Sequence, residues 1–260
     1  PRSTLFPYTT LFRSSRARVI SGLLAFASAG CVGDIGDGAD DGVGPGGTDV
    51  PQEEVKSEIA VSGLRRLSNA EYRQTIRDLL GVDAGSASGL LPADALAPFD
   101  NDYTLQTPSE SLIKGVEIVA GDVATAVVDD PALRVKATGC EPAGPEDDAC
   151  YRAFVEGFGR RALRRPLSAE EIDRFAELSA FGVEAGDFWV GVSAGLRAFL
   201  QHPELLYRVE IGVPVAAMPG VHRLDDFELA ARLSYFLLGT PPPDWLLDAA
   251  EAGGLDAEEG

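Results

Sequence analysis

From Leu64 onward the chain is written almost wholly in the period of an α-helix, and its helices carry their own start signals. Ser68-Asn69-Ala70-Glu71 places a serine three residues before a glutamate. In that spacing the hydroxyl takes the amide of the third helical residue, and the carboxylate reaches back to the serine amide. Tyr72, Ile76, Leu79 and Leu80 then share one face, and Gly81 offers a left-handed stop. Thr107-Pro108-Ser109-Glu110 predicts a second start, with proline at the first helical position where its missing N–H costs nothing. Leu112, Ile113, Val116, Val119, Ala120, Val123 and Val127 form its stripe until Asp129-Asp130-Pro131 breaks it. A third helix carries Tyr151, Phe154, Val155, Phe158 and Ala162, and a second capping box, Ser168 to Glu171, precedes Ile172, Phe175 and Leu178. Phe188 to Leu200 is apolar nearly all round, with Gly191, Ser193, Ala194 and Gly195 admitting close neighbours, which predicts a buried central helix. Asp225 and Glu228 cap a last long helix, Phe227 to Leu238, ended by Gly239 and Pro241–Pro243, and another begins at Asp244-Trp245. Period-2 alternation is nearly absent. The expected class is all-α: capped amphipathic helices arrayed around a buried central one.

Composition narrows the function classes. The 260 residues hold 22 Lys+Arg against 41 Asp+Glu, a formal net charge of −19. Such a body lacks the basic excess that phosphate neutralisation needs, so no nucleic-acid partner is expected. No apolar run reaches the roughly 18 residues of a membrane-spanning helix. Two His and three Cys leave little for an all-protein metal site, and none is expected.

The first sixty residues speak of location. The chain opens at Pro1 and its single methionine is Met218; residues 1–15 read as a non-native leader resembling translated adapter sequence. Arg16 and Arg18 then precede the apolar run Val19 to Ala29 and Gly30-Cys31. A basic region, a short apolar region and small residues at a cut describe an export signal. Ser28-Ala29-Gly30-Cys31 resembles a bacterial lipobox, with Ser28 where leucine is usual, and makes Cys31 the candidate lipidation site. Residues 33–51 contain seven Gly, five Asp and two Pro. Such a stretch cannot bury enough apolar surface to offset its ordering entropy and reads as a disordered tether. Asp34, Asp37, Asp40 and Asp41 could mimic a calcium loop, but no closing glutamate stands at loop spacing. Cutting before Cys31 removes four arginines and no acids, taking the net charge from −19 to −23.

Within the body, Cys140 and Cys150 lie in one Pro/Gly-rich loop without a CxxC pair or a nearby histidine; after export a disulfide is the expected state. Arg65 and Arg66, with Arg160, Arg161, Arg164 and Arg165, are the only basic clusters. They admit two readings: an oxyanion clamp, or cations at helix C-termini partnered by acids such as Glu170 and Glu171, which carries more weight. Asp100 and Asp102 flank Asn101 as a glycosidase pair might, although such residues more often build turns. His202 ahead of Pro203 is expected to cap carbonyls rather than act as a base.

Several strings together resemble a known group. Leu64-Arg65-Arg66-Leu67-Ser68-Asn69-Ala70-Glu71-Tyr72 through Arg77-Asp78-Leu79-Leu80-Gly81 is similar to the first module of large exported planctomycete and myxobacterial proteins. These are built of successive domains of unknown function, many with a c-type cytochrome domain. Phe158-Gly159-Arg160-Arg161-Ala162-Leu163-Arg164-Arg165-Pro166-Leu167-Ser168 resembles their second module. His202-Pro203-Glu204-Leu205-Leu206-Tyr207-Arg208 and Glu228 to Leu237 resemble the next. The resemblance covers about 190 residues and implies an N-terminal fragment of a longer chain. No CxxCH motif is present, so no haem or other cofactor is expected here.

The expected organisation is a leader over 1–15, a lipoprotein-type signal over 16–30, a flexible linker over 31–60, and helical modules over 61–138, 139–182 and 183–260. The second module holds the cysteine loop and the third is truncated. The expected role is a non-catalytic scaffold or interaction region of a bacterial envelope lipoprotein, held to the membrane through Cys31, with cytochrome-like C-terminal modules as partners. The alternative is part of an exported enzyme, polysaccharide-acting or redox, whose site lies further along the chain.

Overall fold

In the computed structural model, residues 63–84, 87–94, 102, 105–106 and 108–255 are described. The signal, the linker and Cys31 lie outside them, as do Asp100 and Asn101. A two-residue strand β1 (Arg65–Arg66) leads into α1 (Asn69–Leu80), and both halves of the Ser68–Glu71 capping box form. Gly81 ends this helix at φ 78°. A 3-10 turn over Ala87–Leu90 follows.

The long helix α2 (Glu110–Asp129) starts two residues later than the proline rule predicts. Ser109 is its N-cap, accepting the Leu112 amide at 3.2 Å, and Pro108 stands outside the helix. The serine hydroxyl can satisfy an orphan amide, which proline at that position could not do. Its predicted stripe is buried except for Ile113, which faces outward. Asp129-Asp130-Pro131 stops α2, as expected, but it also starts α3 (Pro131–Thr138). Asp130 caps it through the Ala132 amide at 2.8 Å, with Pro131 at the first position.

A disulfide between Cys140 and Cys150 spans the turn from α3 to α4 (Asp148–Leu163). Closing a loop this short contributes roughly 2.5–3 kcal/mol in the chain-entropy account. Reduction should therefore lower the melting temperature by several degrees, and Cys140→Ser with Cys150→Ser should match it. A midpoint unchanged by reductant would mean the bond does not constrain the unfolded chain.

The second capping box opens α5 (Ala169–Ala176), after which the chain turns directly into α6 (Ser179–Ala185). Leu178 therefore sits in the junction and not on the α5 face. The central helix α7 (Phe188–Leu200) is where its composition places it, with Phe188, Val192, Leu196, Phe199 and Leu200 buried. A Cβ on Gly195 would stand 2.8 Å from both the Tyr151 hydroxyl and the Phe154 ring. Glycine there lets α4 and α7 close to contact. The aromatic cluster formed between them includes Phe154, Phe158 and Phe199, with Phe175 of α5 stacked on Phe199 at 4.0 Å between ring centroids.

A single turn, α8 (Pro203–Leu206), runs into β2 (Tyr207–Arg208), which pairs antiparallel with β1. A short hairpin of β3 (Val213–Pro214) and β4 (His222–Arg223) precedes α9 (Asp226–Leu238), whose capping box of Asp225 and Glu228 is complete. The last helix is α10 (Asp244–Glu251). The inner face of α9 is Ala230, Ala231, Ser234 and Tyr235, while Phe236, Leu237 and Leu238 face outward. One core cluster extends from Leu67 to Tyr235. The described residues are all-α, with only these two-residue strand pairs besides helix.

Candidate functional site

The basic run after Phe158 is taken apart by the end of α4. Leu163 closes the helix, and Arg164 takes a left-handed conformation at φ 62°, the one non-glycine residue with positive φ among those described. That turn sends its side chain inward, leaving the residue 5% exposed. The guanidinium donates to the carbonyls of Glu204, Leu205 (3.4 Å) and Tyr207 (2.9 Å). These carbonyls lie at the end of α8, where a helix leaves acceptors without internal donors. Arg164 thus caps another helix from a distance.

Over the same place lies the ring of Tyr235. The Arg164 and Arg208 guanidinium carbons stand 5.7 and 5.5 Å from its centroid, within cation–π range. Thr75 Oγ1 spends its hydrogen on the Glu71 carbonyl, so the buried Tyr235 hydroxyl donates to Thr75 Oγ1 at 2.9 Å. Burial pushes the phenol's pKa up, against the pull of Arg164. Both facts keep Tyr235 neutral.

Arg165 turns the other way. Its fork reaches both oxygens of Glu171 (2.9 and 2.8 Å) and both of Glu204 (2.9 Å each). Glu171 also takes the Ser168 amide at 2.8 Å in the α5 capping box. The Arg165 guanidinium, first among its causes, holds the Glu171 carboxyl down at about 2. A depressed carboxyl stabilises the fold above its unfolded value near 4.5, and that contribution disappears as pH falls through about 2. The melting temperature should fall across that window, and Arg165→Gln should flatten the fall. The pair is partly open to solvent, so the slope will be shallower than a buried pair would give.

His202 departs from expectation. It is the N-cap of α8, and its Nδ1 accepts the Glu204 amide at 3.2 Å. At an N-terminus the helix presents amides and not carbonyls, so the imidazole serves as acceptor. Burial pushes its pKa below the usual value, opposed by Glu204 and Glu171.

The remaining arginines are elsewhere. Arg66 is buried, donating to Asp94 at 2.8 Å, while its amide donates to Gln106 at 2.8 Å. Arg65 pairs with Arg208 across the β1–β2 ladder. Arg160 bridges α4 to Asp248 and Glu251 of α10 at 2.7 and 2.9 Å. Arg161 donates to the Gly157 carbonyl of its own helix. Of the six arginines singled out in the sequence, the structure brings Arg164 and Arg165 to one place. It adds Arg208, which no local pattern distinguishes. Asp102 lies in the described chain, its carbonyl accepting the Leu105 amide at 3.1 Å.

A cavity of about 360 Å³ adjoins this group, walled by Arg164, Arg165 and Arg208, by Glu204, Glu210, Asp225 and Glu228, and by apolar side chains. Glu228 accepts the amides of Ile211, Gly212 and Asp225, and Glu210 is paired with Arg232. Among the described residues no group of three or more His, Cys, Asp or Glu is placed to hold a metal. No helix there is long and apolar enough to cross a membrane.

No curated protein and no solved structure matches the chain. Three family models do, each described as a protein of unknown function: DUF1587 over residues 65–129, DUF1595 over 150–210 and DUF1592 over 224–260. Thr75, the Arg164–Arg208 group and Tyr235 fall in the first, second and third of these segments in turn. The chain is a succession of segments similar to three domain families of unknown function.

Proposed function

We propose that this chain is a non-catalytic helical scaffold, the interaction region of an exported bacterial envelope lipoprotein anchored through Cys31. In this reading it belongs with planctomycete- and myxobacterial-type multidomain proteins, and its partners are the bilayer and cytochrome-like modules of a longer chain. The observation that supports the scaffold is the Tyr235 junction. One side chain from the third matched segment is hydrogen-bonded to Thr75 of the first and stacked on two arginines of the second. Arg160 adds a further tie between the second and third segments. Arg164 and Arg165 are hydrogen-bonded within the second segment, and Tyr235 ties that segment to the first.

The test is made with a start codon supplied, in a bacterium that processes lipoproteins. The chain should take up labelled palmitate, Cys31→Ala should abolish the label, and the purified protein should turn over neither polysaccharides nor sulfate esters. Label retained in the variant would sink the anchor. Turnover would favour the enzyme reading instead.

A further inference from the structure

The cavity beside Tyr235 is lined by four carboxylates and three guanidiniums. Its carboxylates are engaged: Glu204 by Arg165, Glu210 by Arg232, Glu228 by three amides, and Asp225 by the Glu228 amide. Arg164 and Arg208 have no carboxylate partner among the described residues. Arg164 meets neutral carbonyls and an aromatic face. Arg208 is 5% exposed and lines the cavity; its Nε and Nη2 are themselves closed off from solvent and have no hydrogen-bond acceptor among the described residues. A buried guanidinium is costly unless an opposite charge and acceptors are supplied. Leu163, Val209 and Phe227 give the same cavity an apolar wall. Its volume is at the small end of the range typical of ligand pockets.

We propose that this cavity binds a small organic oxyanion, its charged head on Arg208 with Arg164 behind it and its apolar body against Leu163, Val209 and Phe227. Arginine forks suit carboxylate and phosphate heads alike. The probes therefore separate these heads: hexanoate, hexyl phosphate, inorganic phosphate and uncharged hexanol, each titrated into the full chain by calorimetry at matched ionic strength. Hexanoate or hexyl phosphate should bind at least about tenfold more tightly than hexanol and than inorganic phosphate. Arg208→Gln should lower that affinity by about tenfold or more, and Arg208→Lys should restore part of it. Should Arg208→Gln fail to fold by circular dichroism, Val209→Trp, a change at a partly exposed wall residue, should block the same binding. The proposal is overturned if neither charged hexyl probe binds below about 10 mM. Equal binding of hexanol, or affinity unchanged in both Arg208→Gln and Val209→Trp, would overturn it as well.

Discussion

Phe199→Ala should remove about 3–5 kcal/mol of stability, enough to leave a domain of ordinary stability close to unfolding. Phe199 is fully buried on α7, stacked on Phe175 and edge-on to Phe154 and Phe158. Three helices meet on that one ring. Truncation loses both its transfer free energy and the contacts of its neighbours, because a wall built from three separate helices cannot collapse into the space together. Urea unfolding should show the midpoint falling with the slope preserved. Phe181→Ala, at a residue 54% exposed, should stay within about 0.5 kcal/mol. Equal midpoints for the two variants would mean that the aromatic cluster is not the centre of the core.

Arg164→Met should cost about 3 kcal/mol or more, by a different route. Methionine keeps much of the apolar stem but removes the donors. The carbonyls of Glu204, Leu205 and Tyr207 lose their partner, and one face of Tyr235 loses its cation. Left-handed backbone at this position favours glycine, so Arg164→Gly should relieve local strain and still be destabilising, since the guanidinium is lost. Arg164→Lys should fall between wild type and Met, because the ammonium keeps the charge but lacks the planar fork that spans these carbonyls. Denaturation midpoints compared with Arg161→Met, whose side chain among the described residues bonds within α4, decide the matter. If the two methionine variants are equally stable, the distant cap contributes nothing.

What can be read from the sequence is what is local. Capping boxes at Ser68, Ser168 and Asp225, the Gly81 and Gly239 stops and the nearly unbroken apolar run of α7 are all features of a few neighbouring residues, and each is present. The cysteine pair is legible for the same reason, being separated by 10 positions. Two of the short helices are not: α3 and α6 hold about two turns each, too little for a period to declare itself, whereas α5, equally short, is announced by its capping box. The arginine group is half legible. Arg164 and Arg165 stand out as a basic run, but Arg164 finds its acceptors about forty residues away and Arg208 shows no local sign of its role. His202 reads wrongly from the sequence because Pro203 fits a helix start as well as a stop, and only the following turn decides which.

Tyr235 carries one more implication, for how such a chain can be taken apart. Its ring is in the same core as Leu67 and Tyr72, although the family match containing it begins only at residue 224. A polypeptide ended at residue 210 would keep every residue of the first two matches and still unroof Arg164, Arg208 and Thr75. The borders of inheritance, along which such segments could be shuffled, are therefore not lines along which the chain can be cut. Any exchange of the third segment between relatives would have to bring an aromatic ring back to this spot.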